Sequence, residues 1–236
     1  MASNTTFFTP ADPISINTLL TLEGALQWIV QTVTPSETAD RASGLGADGD
    51  EAAHESHNTV ERLTATYKCF GTTGSLSLPT VGAVAATYHI DNVQLAYDPV
   101  GWPTLTVAMH KHADSATHTE DSCNEYAAGI AFPAQFGIPS TLGTDFASGS
   151  ALVAMRSLSY ALSCTHVDEL GATGDWHAGD NHDGVETLDA EFTGDPDDAD
   201  LTIASTWHTS TDETGTGNTT VNSRKLSLTR HIAREA

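Results

Sequence analysis

The chain has 236 residues, of which 39% are hydrophobic and 17% charged, so it can bury the core of one large domain or two small ones. Thirty-one acidic against nine basic residues give a net charge of -22, which excludes a basic face that grips nucleic acid but not a surface along which DNA slides. Solubility, or life in a salty medium, explains the same charge equally well.

The first residues, 1–13, are interpreted as an extended arm that docks on a neighbour, because Phe7 and Phe8 stand in a polar stretch broken by prolines. A disordered terminus is the alternative. The next segment, 14–33, predicts a strand pair or a short helix. Polar residues interrupt its apolar part and no basic residue precedes Arg41, so we predict neither a membrane span nor a secretory signal.

Residues 35–58 form the longest stretch without a strand pattern, and we predict a long loop here. Long loops inside compact domains are usually functional or disordered. Two interpretations stay open: a loop that contacts a neighbouring subunit, and a mobile surface loop.

From residue 60 onward, apolar residues alternate with polar ones, which is the period of strands with one buried face. Segment 84–97 is predicted as one of these strands. The other inward positions are Leu63, Ala65, Tyr67 and Cys69, then Leu105, Val107 and Met109, then Leu158, Tyr160, Leu162 and Cys164, then Leu188, Ala190 and Phe192, then Leu201, Ile203 and Trp207, and finally Leu226, Leu228 and Ile232.

This pattern predicts a mainly β protein, an antiparallel β-sandwich or barrel of at least seven strands with long loops. One or two short helices are predicted near 124–136 or 144–156, where the alternation lapses. Because no repeat or linker divides the chain, we predict a single domain over 14–236 that includes the loop at 35–58.

Acidic and basic residues are segregated along the chain. Residues 168–200 contain twelve acidic residues and no Lys or Arg, whereas Arg224, Lys225, Arg230 and Arg234 lie within the last thirteen residues. These opposite charges can pair within the fold or between copies, an asymmetry that is compatible with self-assembly.

Three histidines are the best candidate for a metal site. His110 and His112 stand at i and i+2, which places them on one face of a strand, and His118 follows six residues later. Three such ligands leave an open fourth position for chemistry. Eleven histidines in one chain also come close by chance. A polar sheet face is therefore the favoured interpretation, and we assign no metal ligand.

The remaining motifs do not favour an enzyme. The run Gly179–Gly184 places His182 where a calcium loop needs an oxygen ligand, so a hairpin turn is favoured there. No nucleophile elbow, HExxH motif or phosphate loop is present. Three cysteines without CxxC spacing favour neither disulfides nor a zinc ribbon. We predict no catalytic and no cofactor-binding residue.

Four tryptophans, Trp28, Trp102, Trp176 and Trp207, can line a sugar-binding face, although packing in a core or interface is the commoner use. They support an alternative function, a carbohydrate- or receptor-binding β-sandwich of a particle or cell surface. A third hypothesis is a metal-dependent hydrolase centred on the three histidines.

Two stretches together resemble a known class of proteins. Residues 84–118 run from one strand through Pro-Val-Gly-Trp-Pro into a Thr-rich strand, and residues 157–194 read as a strand, an acidic Gly-rich hairpin and a strand that closes on Phe-Thr-Gly. The chain then ends in a Leu-x-Leu strand over 225–232 and a basic tip. This order resembles the tail tube proteins of tailed bacteriophages and related viruses and, more loosely, other phage virion β-sandwich proteins.

The resemblance implies a virion structural subunit, made in the host cytoplasm, that self-associates into hexameric rings stacked around a channel for DNA. An acidic lumen would let DNA pass without specific binding. Other virion tail proteins are the implied partners, and no membrane is involved. The loop at 35–58 and the N-terminal arm would join successive rings. The acidic block 168–200 and the basic C-terminus would meet in heterologous contacts.

Overall fold

The structure, a computed structural model, describes residues 27–70, 75–76, 78–85, 88–97, 101–112, 126, 132–133, 155–172, 176–193, 203, 205–216 and 222–232. The arm predicted at 1–13 and most of the two stretches predicted as short helices lie outside these residues. The described chain forms strands and no helix. The strands are β1 (Gln27–Leu45), β2 (Glu51–Phe70), β3 (Ser75–Leu76), β4 (Val84–Ala85), β5 (Tyr88–Tyr97), β6 (Thr104–His112), β7 (Phe132–Pro133), β8 (Met155–Leu170), β9 (Trp176–Thr193), β10 (His208–Thr216) and β11 (Asn222–His231).

One antiparallel sheet contains nine of these strands. Eight follow one another in the order β1-β2-β6-β5-β8-β9-β11-β10, and β4 pairs with β5. The two short strands β3 and β7 pair with each other. The prediction of a mainly β, antiparallel protein is therefore confirmed. Across the described residues the large sheet is open rather than closed on itself, with β1 and β10 at its two ends.

The alternation in the sequence correctly predicts the buried face of this sheet. One row of cross-strand neighbours takes a residue from each of six strands, and every member is at most 1% exposed. Full burial of a large apolar side chain stabilises a fold by about 1.5–3 kcal/mol. The row therefore links six strands in a single register. Its members are Tyr67, Leu105, Leu95, Tyr160, Leu188 and Leu228.

The neighbouring row ends in a buried ion pair. The Glu186 carboxylate, which is fully buried on β9, accepts hydrogen bonds from Nε of Arg230 on β11 and from the Tyr160 hydroxyl at 2.6 Å. The Arg230 guanidinium lies over the Trp207 ring, 4.4 Å from its centroid. Loss of one member would leave an uncompensated buried charge, which typically costs about 3–5 kcal/mol. The apolar members of the same row are Ala65, Val107, Val93 and Leu162.

The prediction of a long loop at 35–58 is wrong, because these residues form the distal part of a β-hairpin. β1 and β2 pair along nearly their whole length, with Gly46–Asp50 as the turn and Gly49 in the left-handed region at φ 86°. The alternation is missing because both faces are exposed, so no apolar stripe marks the strands. Residues 34–57 are called the ribbon below.

Two smaller predictions are also corrected. Gly179–Gly184 lies inside β9 rather than in a hairpin turn, and the positive φ of Asp183, 52°, falls where the register between β8 and β9 shifts. Segment 84–97 is not one strand, because β4 and β5 pair antiparallel with each other. At Gly179–Gly184 the Gly- and Asp-rich composition is typical of a turn, but the strand continues through it with a shift of register.

Two buried tyrosines provide a matched test of the polar contacts in the core. The Tyr67 hydroxyl has no hydrogen-bond partner among the described residues, whereas the Tyr160 hydroxyl donates to Glu186. Tyr67→Phe is expected to leave the free energy of unfolding unchanged or to raise it by about 1 kcal/mol, and Tyr160→Phe to lower it by about 1–3 kcal/mol. Chemical denaturation measures both. Equal losses in the two variants would contradict this difference.

The same tyrosines predict a loss of stability at alkaline pH. Burial raises the pKa of both phenols far above the ordinary value of 10.0, and the charge of Glu186 adds to this for Tyr160. The unfolded phenols ionise near the ordinary value. Stability is therefore fully present below about pH 10 and falls above it, by about 1.4 kcal/mol per pH unit for each phenol. Urea midpoints between about pH 9 and about pH 11 measure the slope, which Tyr67→Phe should reduce. An unchanged slope in that variant would refute the assignment.

Candidate functional site

Among the described residues, the two strands of the ribbon pair mainly with each other. Its described side chains, Gly46 apart, are exposed. Arg41 and Glu51 link its two strands at 2.8 Å, and Asn58, the residue of β2 directly after the ribbon, donates to Asp40 at 3.1 Å. Leu45 at the tip is 72% exposed. A two-stranded hairpin with no packed face is at best marginally stable in water, so the ribbon is a candidate contact surface.

The opposite end of the sheet is exposed as well. Residues 208–215 of β10 all have exposed side chains. In the part of the chain that the structure describes, β1 and β10 each have a single neighbouring strand. An edge strand presents a row of backbone N–H and C=O groups that can pair with another chain. The sheet therefore has two candidate pairing edges, one at each end.

Two basic residues of β11 find acidic partners within the chain. Nε and Nη2 of Arg224 donate to the two carboxylate oxygens of Asp212 at 2.9 and 2.8 Å, and this hydrogen bonding lowers the pKa of Asp212. Arg230 is buried against Glu186. Of the predicted pairing between the acidic block 168–200 and the basic C-terminus, the pair of Glu186 with Arg230 is intramolecular. Arg224 pairs with Asp212, which lies outside that block, and Lys225 is exposed.

Two β-bulges meet near one end of β5. The register between β5 and β6 shifts between Ile90 and Asn92, and the register between β8 and β9 shifts between Ser163 and Thr165. The thiol of Cys164, at the second shift, lies 3.8 Å from the carbonyl oxygen of Asp91, at the first. Bulges bend strands and re-aim their side chains. Past this point β8 no longer pairs with β5.

Four side chains come together beyond the bulges and are called the histidine cluster: His110 and His112 from β6, and His166 and Asp168 from β8. Their potential donor atoms all lie within 4.8 Å of one another. Oδ1 of Asp168 lies 2.9 Å from Nε2 of His166 and 3.1 Å from Nε2 of His112. Both β6 histidines are buried, at 2% and 1% exposure. The cluster thus places three imidazoles around one carboxylate.

Further polar groups hold the cluster from outside. Oδ1 of Asp91 lies 2.6 Å from Nδ1 of His110, and Oδ1 of Asn181 lies 2.8 Å from Nδ1 of His166. The indole N–H of Trp176 donates to Oδ1 of Asp168 at 3.0 Å. The Trp176 ring also stacks on His112, with 4.7 Å between centroids. These contacts fix the orientation of the rings and of the carboxylate.

Burial and charge act on the cluster in opposite directions. Burial lowers the pKa of His110 below its ordinary value, although the hydrogen bond and charge of Asp91 act to raise it. Burial acts to raise the pKa of Asp168, but the hydrogen bonds from His112 and His166 outweigh it and hold that pKa far below its ordinary value. Burial thus favours the neutral form of His110 and the hydrogen bonds favour the ionised form of Asp168, and these are the forms of the two side chains that bind metals.

Two members of this cluster, His110 and His112, were metal candidates in the sequence, although neither was assigned as a ligand. His110 and His112 lie together as their spacing indicates, while His118 is outside the described residues. His166 and Asp168 were missed because they lie on another strand. Their own i, i+2 spacing on a strand was the available signal, and it repeats the spacing of the first pair.

The tryptophans do not form an exposed row. Trp176 and Trp207 are buried, at 1% and 5% exposure, whereas Trp102 is 41% exposed. Trp28 belongs to β1, but its side chain is not among those described. A sugar-binding face built on Trp176 or Trp207 is therefore inconsistent with the burial of these rings.

Comparison of the sequence with models of known protein families and with curated proteins finds no match. Within the described residues, no helix has the length and apolar character needed to span a membrane. The function proposed below is accordingly based on the chain's own geometry and charge, together with the resemblance described above.

Proposed function

We propose that the chain is a structural protein of a virion, a tail tube subunit that assembles into stacked rings around a channel for DNA and has no enzymatic activity. The observation that carries the proposal is the ribbon, which is paired along its length and exposed on both faces. The two open sheet edges and the net charge of -22 support it further.

The ribbon suggests a binding partner, because its paired strands are not stabilised by packing against the described core. Ordering a residue costs about 1–2 kcal/mol of backbone conformational entropy, and burial of apolar surface normally offsets it. Here the cross-strand contacts are polar and exposed, such as Arg41 to Glu51. Exposed ion pairs contribute about 0–1 kcal/mol each. A second copy of the chain in the next ring is the proposed partner, with Leu45 at the tip as the apolar contact.

The sheet edges argue for rings. β1 and β10 lie at opposite ends of one sheet, so an edge of one subunit can pair with the other edge of its neighbour. Such a heterologous contact repeats around a ring and closes it if the rotation fits, six subunits being the number the resemblance implies.

The charge supports the role of a channel wall. A strongly acidic surface repels the phosphates of DNA and leaves the strand free to move. Screening restricts this effect to about 8 Å at physiological salt, so the acidic residues act on DNA that passes close to them. Synthesis in the host cytoplasm, incorporation into the virion and contact with other tail proteins complete the proposal.

The alternative function, carbohydrate or receptor binding, has less support. It depends on exposed aromatic rings, and of the described tryptophans only Trp102 is exposed above 40%. Glycan-array binding that is lost in Trp102→Ala would favour this alternative over the tail tube.

A shortened hairpin tests the proposal. Thr38 and Val60 are cross-strand partners, so they can be joined through an Asn-Gly turn that replaces residues 39–59 and removes most of the ribbon. The variant should keep the melting temperature of the full chain within about 3 °C, because Leu63, Ala65 and Tyr67 stay buried. It should not form the stacked tubes that negative-stain microscopy is expected to show for the full chain at high concentration.

Light scattering of the same samples gives the opposing outcomes. A full-length chain that stays monomeric at high concentration would refute self-assembly. Tubes formed by the shortened variant as readily as by the full chain would refute the role of the ribbon. Single rings that do not stack are the result that this role predicts.

A point substitution tests the tip of the ribbon. Leu45→Asp should leave the fold intact, since the side chain is 72% exposed, and should raise the concentration needed for stacking by about 10-fold or more. Val84→Asp is the matched control, because Val84 is 51% exposed in β4, outside the ribbon. Sedimentation of assembled tubes measures both, and an equal effect in the two variants would contradict a specific contact at the tip.

A further inference from the structure

We propose that His110, His112, His166 and Asp168 form a closed zinc site that links the distal part of the β8–β9 hairpin to β6. The site is independent of whether the chain forms tubes. It is built from three imidazole nitrogens and one carboxylate oxygen, a donor set that zinc takes in tetrahedral geometry.

Two of the distances between donor atoms are close to those of a tetrahedral site, and all the potential donor atoms lie within 4.8 Å of one another. With bonds of about 2.0–2.1 Å, the ligand atoms of a tetrahedral zinc site lie about 3.3 Å from one another. Oδ1 of Asp168 lies 2.9 and 3.1 Å from Nε2 of His166 and Nε2 of His112. His110 completes the set through Nε2, since its Nδ1 is occupied by Asp91 at 2.6 Å.

One atom of the cluster points to a ligand directly. Nε2 of His110 is buried and has no hydrogen-bond partner among the described residues, and the residue is 98% buried, since its exposure is 2%. Buried polar side-chain atoms in folded proteins nearly always have a partner. A zinc ion bound to this nitrogen would provide one.

The outer contacts of two of the three histidines, His110 and His166, are those of a metal site. A zinc-bound histidine usually donates its second ring N–H to a carboxylate or a carbonyl oxygen, which fixes the ring and its tautomer. Asp91 does this for His110, and the amide oxygen of Asn181 does it for His166. The Trp176 N–H donates to the Asp168 carboxylate.

The arrangement favours a structural role over catalysis. Catalytic zinc keeps one position open for water or substrate, whereas four protein ligands close a structural site. The burial of both β6 histidines and the Trp176 ring on His112 also restrict access. This distinguishes the site from the open three-histidine centre that a hydrolase would need.

The ion would support a part of the fold that the sheet no longer holds. β5 pairs with β8 only over 158–163, so the hairpin beyond Ser163 has lost its neighbour on that side. The cluster is where this distal part meets β6 again. Zinc bound by both strands would replace the missing backbone hydrogen bonds with coordinate bonds.

Metal content and thermal stability of the full chain test the proposal. Protein dialysed against excess zinc and then desalted should hold one zinc per chain by elemental analysis. Stripping with a chelator should lower the melting temperature by about 5–15 °C, and zinc should restore it. Cobalt should bind in its place with the visible absorption of a tetrahedral ion.

Variants locate the ion. His166→Gln should lower zinc affinity by about 100-fold or more, while His182→Gln on β9, outside the cluster, should not change it. Gly179→Ala is a second variant that keeps all ligands. Its added methyl group would lie 2.9 Å from Cε1 of His166, so affinity should fall by about 10-fold. Gly44→Ala, with nothing within 4 Å, is its control.

The proposal fails if the folded wild-type chain retains no zinc, which would make the cluster a metal-free hydrogen-bond network. It also fails if His166→Gln retains zinc with unchanged affinity, or if His182→Gln loses as much as His166→Gln. If His166→Gln does not fold, zinc affinity is compared between Gly179→Ala and Gly44→Ala instead. Equal affinities in these two variants would contradict the proposal.

Discussion

Six buried side chains lie next to one another across six strands, and the position of every other group in the sheet depends on their contact. A shift of any strand by one residue would turn its apolar set away from the core and bring polar neighbours in. Register is therefore strongly specified along this row. Its members are Tyr67, Leu105, Leu95, Tyr160, Leu188 and Leu228.

The same register determines where the polar groups meet. The next row lies two residues further along the strands. In it, Leu162 is paired with Glu186, and Glu186 is paired with Arg230. The alignment of the apolar row therefore also determines that this ion pair is buried. Further along, the pairing of β5 with β8 ends at Asn92 and Ser163, beside the bulges at Asp91 and Cys164, while β5 still pairs with β6 and β8 with β9. The histidine cluster lies beyond this point, where side chains of β8 and β6 come together.

The sequence predicted which residues of the strands are buried, but it did not predict which strands are neighbours in the sheet. Alternation gave the buried face of β2, β6, β8, β9 and β11, because one side of each strand is apolar and the other is not. It could not give the strand order, so nothing showed that His166 would lie beside His110. It also failed at 35–58, where both faces are exposed and strands leave no apolar trace.

The ribbon has a further consequence that follows from its lack of an apolar face. In the rest of the sheet a slip of one residue would expose the core, but in the ribbon it would move one exposed side chain to another exposed position at little cost. Its alignment must therefore come from the turn, where Gly49 has a φ of 86° that other residues rarely adopt. A change in the turn alone would therefore exchange the side chains on the two faces of the ribbon while the core stays intact.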